Sequence, residues 1–183
     1  MKNNNKKETS IRFIIITIIV ILILGIFSGW SQSKISFSIQ QDAKLALKGA
    51  YEDSNKGTLD LLLRLNMQGK QDKWGYFIVF PEFEYAEIKY NYKRYSANVG
   101  YTFNKLFIKN TEASFNVGWG FIDRGGRNSF SWSSSASAAY LFNKIKLLLT
   151  LQAVERTDLK IIYGTSNTIK ISGFLGIEIP INL

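Results

Sequence analysis

Neither cysteine nor histidine occurs anywhere in the chain. Without cysteine there are no disulfides, no thiolate nucleophile and no Cys-ligated zinc. Without histidine the commonest general base, the commonest metal ligand and the middle member of a Ser-His-Asp site are missing. No catalytic residue, cofactor or metal ligand is therefore expected. Proline is limited to Pro81 and Pro180, while aromatic residues make up 14% of the chain. That balance suits long uninterrupted strands better than a turn-rich soluble fold. Tight Lys/Arg clusters are also lacking. The net charge of +9 falls to +6 (19 basic, 13 acidic) over residues 34–183, with the basic residues spread singly. Nucleic acid is not the expected partner of such a pattern, and attraction to anionic headgroups or lipopolysaccharide fits it as well.

What is present begins with a leader. Residues 1–12 carry Lys2, Lys6, Lys7 and Arg12 against Glu8 alone, and Phe13 to Phe27 form an uncharged apolar run of 15 residues before a polar stretch ending at Ser33. This is the order of a secretory signal. The run is shorter than the ~20 residues a spanning helix needs. Residues 1–33 thus read as a hydrophobic helical signal peptide or N-terminal anchor, with cleavage near Ser33, and residues 34–183 as one exported domain.

The exported part alternates with period two. Leu59, Leu61, Leu63, Leu65 and Met67 interleave with Thr58, Asp60, Leu62, Arg64, Asn66 and Gln68. Ala113, Phe115, Val117, Trp119 and Phe121 interleave with Glu112, Ser114, Asn116, Gly118 and Gly120. Near the end Ile169, Ile171, Leu175, Ile177, Ile179 and Ile181 alternate with polar or small residues, interrupted at Gly173 and Phe174. One oily and one polar side is the mark of a strand, and a helix would mix the two sets. Turn-forming runs separate segments at roughly 35–51, 58–68, 73–81, 84–92, 95–103, 107–121, 129–142, 145–155 and 168–181, with Leu159 to Tyr163 extending the last hairpin. That gives eight to ten strands, the first segment dividing near Gln40-Gln41-Asp42 if the number is even.

A soluble β-sandwich alternates too, so the position of the aromatics has to discriminate. Phe130 and Trp132 open one segment, Tyr140 and Phe142 close it on the same face, and Ser134, Ala136 and Ala138 lie between. Tyr90 and Tyr92, Tyr101 and Phe103, and Trp119 and Phe121 also sit at segment ends. These pairs read as two interfacial girdles around a lipid-facing band. Tight turns at Asn104-Lys105 and Asn143-Lys144 alternate with longer loops at 122–128 and 155–167. The tight turns are expected on the periplasmic side and the longer loops outside. The expected fold is all-β: an antiparallel up-and-down transmembrane barrel in a bacterial outer membrane, with the bilayer as its partner.

Val99-Gly100-Tyr101-Thr102-Phe103-Asn104-Lys105, its echo Ala139-Tyr140-Leu141-Phe142-Asn143-Lys144 and the terminal strand Gly173 to Leu183 resemble the periplasmic hairpins and last strand of small outer-membrane β-barrel proteins of the Bacteroidetes type. The resemblance implies this architecture and no particular activity. That family's last strand commonly ends in an aromatic, whereas this chain ends at Leu183. Barrel enzymes of this size use a histidine, which is absent here.

Asp123-Arg124-Gly125-Gly126-Arg127 offers two guanidinium groups, Arg124 and Arg127, as candidates for binding a phosphate, a surface glycan or another surface ligand. Glu82 and Glu84 share a strand face, with Glu87 opposite, and provide the geometry for a carboxylate-based hydrolase as an alternative. Asp60, Arg64, Lys146 and Lys170 are expected to form a charge network inside. Glu155, Arg156, Asp158 and Lys160 read as a mutually screened loop. An interior filled by side chains excludes a wide pore and leaves a structural, adhesive or ligand-binding role. A soluble or anchored β-sandwich or lipocalin-like binding protein is the other alternative, periplasmic or held in the inner membrane.

Overall fold

A computed structural model of the protein describes residues 34–49, 54–104, 106 and 108–181. The leader, Lys105 and the last two residues lie outside them. Eight strands follow one another: β1 (Ile35–Asp42), β2 (Asp60–Gln71), β3 (Gly75–Ala86), β4 (Tyr92–Phe103), β5 (Thr111–Arg124), β6 (Arg127–Phe142), β7 (Ile145–Glu155) and β8 (Ile169–Ile181). Each pairs antiparallel with its neighbour, and β1 pairs with β8 from Ile35↔Ile181 to Asp42↔Phe174. The sheet is a closed up-and-down barrel, so neither an open sandwich nor an unpaired edge strand is present among the described residues. Closure removes the exposed ladder that would invite aggregation.

Alternation sets the two faces. Odd positions point outward on every strand except β6, where the two-residue turn Gly125-Gly126 changes the phase and Asn143-Lys144 restores it. Both glycines of the first turn have positive φ, 60° and 73°, as does Asn143 at 55°. Left-handed backbone of this kind gives two-residue hairpins a twist that matches the strands. Gly125-Gly126 therefore replaces the longer loop expected at 122–128, while the connection expected to be tight at Asn104-Lys105 spans residues 104–110.

Three further expectations are corrected. The segments 73–81 and 84–92 are not two strands, because β3 runs through Pro81 to Ala86 and the chain turns at 87–91 instead. Pro81 disturbs pairing on one side only. The β4 ladder is continuous past Pro81↔Ala97, whereas the β2 ladder passes from Arg64↔Glu82 to Met67↔Val79. A residue without an N–H can lose pairing toward one neighbour and keep it toward the other. Residues 43–47 form a short helix, α1 (Ala43–Leu47), whose first turn is capped by Asp42 Oδ1 accepting from the Leu45 amide at 2.7 Å. Residues 157–163 form a second helix, α2 (Thr157–Tyr163), closed by the left-handed Gly164, in place of an extension of the last hairpin.

Among the described residues, the helical ones all lie at one end, with the connections 43–59, 87–91, 125–126 and 156–168. We term this the loop end. The other end carries both strand termini and the connections 72–74, 104–110 and 143–144.

Candidate functional site

The outer wall is apolar. Phe115, Trp119, Phe121, Leu147, Leu149, Leu151, Ile171 and Leu175 are each at least half exposed. Their inward neighbours are the reverse, with Ser38, Arg94, Ser131 and Thr150 fully buried. Not every inward residue is polar, however. Leu62, Phe80 and Phe174 also point inside with 0–1% exposure and fill the bore. Phe174, which interrupts the apolar pattern of the last segment, is thus an inward residue in phase with Lys170 and Glu178.

Three polar knots occupy the lumen. In the middle, Glu82 accepts hydrogen bonds from Arg64 Nε at 2.7 Å, Arg94 Nη1 at 2.6 Å, Gln152 Nε2 at 2.9 Å and Ser96 Oγ at 3.2 Å. Arg94 donates its remaining groups to Ser133 Oγ at 2.7 Å and Ser131 Oγ at 3.2 Å, tying β4 to β6. The serine run on β6, small and hydroxylated, leaves room for the guanidinium and accepts its hydrogens. Nearer the termini end, Lys146 Nζ reaches Glu112 at 2.7 Å, Glu178 at 3.2 Å and the Tyr76 hydroxyl at 3.3 Å. Glu178 is also held by Ser36 and Asn66. A cavity of about 40 Å³ between these two knots has room for a few waters, since one needs ~10–15 Å³.

The third knot plugs the loop end. Arg156 makes two hydrogen bonds to the Asp158 carboxylate, both 2.8 Å, and Arg124 Nη1 makes a third at 3.0 Å. Arg156 also lies 4.0 Å over the Tyr92 ring, and Arg124 Nε donates to the Lys89 carbonyl at 2.8 Å. Leu45 of α1 packs beside them with Ala86, Ile88, Tyr92 and Ile122. Burial raises the Asp158 pKa, but the hydrogen bonds and charge of Arg156, then those of Arg124, outweigh it and hold the carboxyl below its ordinary 3.8.

Among the described residues, six cations (Arg64, Arg94, Arg124, Lys146, Arg156 and Lys170) lie inside against seven carboxylates (Asp42, Asp60, Glu82, Glu84, Glu112, Asp158 and Glu178). The interior content of the described residues is thus near neutral, with most of its charges paired in the knots.

Comparison with known proteins comes down to architecture. No family model and no curated protein matches the chain. Three solved structures are similar to it at low sequence identity. The outer membrane protein Ail of Yersinia pestis, in a phospholipid bilayer nanodisc, is 13% identical at a TM-score of 0.49, over 82% of this chain and 100% of that one. A de novo designed transmembrane β-barrel is 9% identical at 0.49, over 81% and 94%. Neisserial surface protein A is 12% identical at 0.40, over 82% and 94%.

The residues singled out in the sequence are distributed as follows. Tyr101, Phe103, Trp119, Phe121, Phe130, Trp132, Tyr140 and Phe142 all lie on the outer wall. Tyr92 does not. It is 1% exposed and points inward, because the turn at 87–91 keeps the phase and Tyr92, opposite Ala86, falls on the even-numbered inner face. Arg124 is likewise 1% exposed and tied to Asp158, so it is an interior anchor rather than a surface group. Arg127, three residues on, is exposed. Tyr90 tops the β3–β4 turn in left-handed backbone, φ 66°, and its carbonyl accepts from the Gly125 amide at 3.2 Å. Tyr90, Arg124, Gly125, Arg127, Ile161 and Ile162 together line a pocket of about 380 Å³ at the loop end.

Glu82 and Glu84 are both buried inside, and Glu87 is exposed in the turn. Arg156 and Asp158 are a buried ion pair, not a screened loop, whereas Lys160 is exposed. Sequence reading missed Arg94, Glu112 and Glu178 as network members. Inward parity identifies all three once β4, β5 and β8 are given their full lengths. The contribution of Ile161 and Ile162 had no signal in a period-two reading, since both depend on α2.

Proposed function

We propose that the chain is a small bacterial outer-membrane β-barrel protein, exported by its leader, with its loop end at the cell surface in a structural, adhesive or ligand-binding role and without enzymatic activity. One observation carries this reading: a closed barrel whose outer wall is oily and whose interior is charged. A water-soluble barrel with the same strands would reverse the two faces, because exposing rows of Leu, Ile, Phe and Trp to water costs about 25 cal/mol per Å². Hydrocarbon accepts that wall, and closed pairing satisfies every strand as a bilayer requires. Strands β2 to β8 have 11 to 16 residues each, enough for the ~9–11 that a tilted strand needs to cross. The same polarity disfavours a lipocalin-like binder, which needs an oily bore. The tight Asn143-Lys144 hairpin, the one of the two expected turns that is present, is what supports placing it with the Bacteroidetes-type barrels.

Any ligand meets the loop-end pocket, since the bore is filled. There the exposed Arg127 guanidinium, the Tyr90 ring and the Ile161 and Ile162 side chains combine a cation with apolar surface. That chemistry suits the phosphate and acyl or sugar portions of lipopolysaccharide or another anionic surface ligand. Detergent-extracted protein is expected to run faster on gels when unheated than when boiled, and to fractionate with outer membranes. Release of the full chain by salt wash, or an unheated band with the mobility of the boiled one, overturns the proposal.

A further inference from the structure

We propose that the rim at the termini end is a docking surface for anionic phospholipid headgroups, an inference that rests on the membrane reading above. Every described connection at this end brings an exposed lysine: Lys34 before β1, Lys70 and Lys73 at the β2–β3 turn, Lys109 between β4 and β5, and Lys144 between β6 and β7. None of the five forms an ion pair among the described residues. The exposed carboxylate at this end, Asp72, is already engaged by the Tyr101 hydroxyl at 2.7 Å and by the Trp74 and Gly75 amides at 2.7 and 3.0 Å. Those donors are neutral and leave its charge in place, so among the described residues the rim carries five exposed cations against one exposed anion, a net positive ring.

Its height on the wall decides the partner. Directly inside the lysines lies a belt of Phe77, Tyr101, Tyr140 and Phe142, exposed or half-exposed on the outer face, and Trp74 stands exposed on the β2–β3 turn itself. Lys73 Nζ sits 5.2 Å over the Trp74 ring. Aromatic rings of this kind settle at the boundary between hydrocarbon and headgroups, and lysines just beyond them extend their ammonium groups to the phosphates. The opposite wall edge differs. There Lys93 is interspersed with Asp123 and Glu155, and the exposed cations Lys44, Lys48, Lys56, Lys89 and Lys160 stand on connections beyond the strand ends, with the exposed Glu87 among them. A net positive ring flush with an aromatic belt fits a phosphate-bearing lipid surface. A lysine held at an anionic membrane surface raises local affinity about fivefold, from ~1 kcal/mol each.

The test uses the full chain refolded into vesicles of phosphatidylcholine, or of phosphatidylcholine mixed with phosphatidylglycerol. The shell of lipid retained around each barrel is then extracted in polymer discs and its composition measured. The wild type is expected to enrich phosphatidylglycerol severalfold over the bulk mixture. The rim variant K34Q/K70Q/K73Q/K109Q/K144Q is expected to carry the bulk ratio, and a loop-end variant K48Q/K56Q/K160Q the wild-type enrichment. No enrichment by the wild type, equal enrichment by the rim variant, or equal loss in the loop-end variant overturns the assignment. So does retention of the wild type, but not the rim variant, on purified cell-wall sacculi without lipid enrichment. Insertion into pure phosphatidylcholine, read as resistance to alkaline extraction, separates the two readings: a chain that fails this step is no membrane barrel, whereas one that passes it and shows no enrichment refutes the rim alone.

Discussion

Glu82 is one carboxylate shared by two guanidinium groups, both with less than a tenth of their side-chain surface exposed. Removing it leaves Arg64 and Arg94 facing each other without a counter-charge, and breaking a buried pair in this way costs about 3–5 kcal/mol. Glu82→Ala is therefore expected to lower the urea midpoint of the refolded barrel sharply, read from the loss of the fast-migrating gel band. The triple change R64M/E82M/R94M, which removes every charge of the knot, is expected to recover much of that loss, because apolar packing often replaces buried ion pairs without penalty. Glycine matters at this scale as well. A Cβ on Gly118 would stand 1.8 Å from Asn98 Oδ1, and one on Gly100 would stand 2.0 Å from Asn116 Oδ1. Two Asn side chains lie flat across strands only because their cross-strand partners have none.

At the scale of elements, α2 is fastened by one acid. Arg124 from the wall and Arg156 from the chain before the helix converge on Asp158. The folded pKa of Asp158 lies below its ordinary value. The stability it contributes is thus fully present above the unfolded value, near ~3.9, and is lost as pH falls through the folded value. Hydrogen-exchange protection at residues 157–163, taken relative to the intrinsic amide rate at each pH, is expected to fall as the pH drops below ~4. In Asp158→Asn the protection should be low already at neutral pH, with little further change on acidification. Unchanged exchange in that variant removes the anchor from the account. These helices also mark the boundary of what the sequence discloses. The strands were legible because a period of two in Leu, Ile and Phe reports a wall with two solvents. α1 and α2 were not, since five and seven residues carry too few turns for a 3.6-residue period, and Leu45 and Leu47 fit a strand phase equally well. The division at Pro81 failed for a related reason. Proline signals the loss of one donor, and only the register shows that the loss falls toward β2 while β4 stays fully paired.

At the scale of the whole molecule, the wall and the bore answer to different solvents. Leu149, half exposed near the middle of β7, meets the hydrocarbon band if the membrane reading holds. Leu149→Arg is expected to cost about 2–4 kcal/mol in lipid, the penalty for a cation near the bilayer midplane. The measurement is the unfolding midpoint in vesicles. A neutral result would mean that this face does not meet lipid. The distribution of candidate residues follows the same division. Aromatics at strand ends were readable because they belong to the wall. The fate of Arg124 was not, because the two-residue turn beside it and the helix beneath it are set by tertiary contacts.

Closure has a temporal side. The seam joins residues near Ile35 to residues near Ile181, the first and last strands of the cylinder. No intermediate lacking β8 can satisfy the backbone of β1, and both flanks stay sticky until that last segment arrives. Such long-range pairing is slow to form. The chain must therefore be kept from its own kind until the ring closes, and the step that completes the ring is the one that retires its last unpaired ladder.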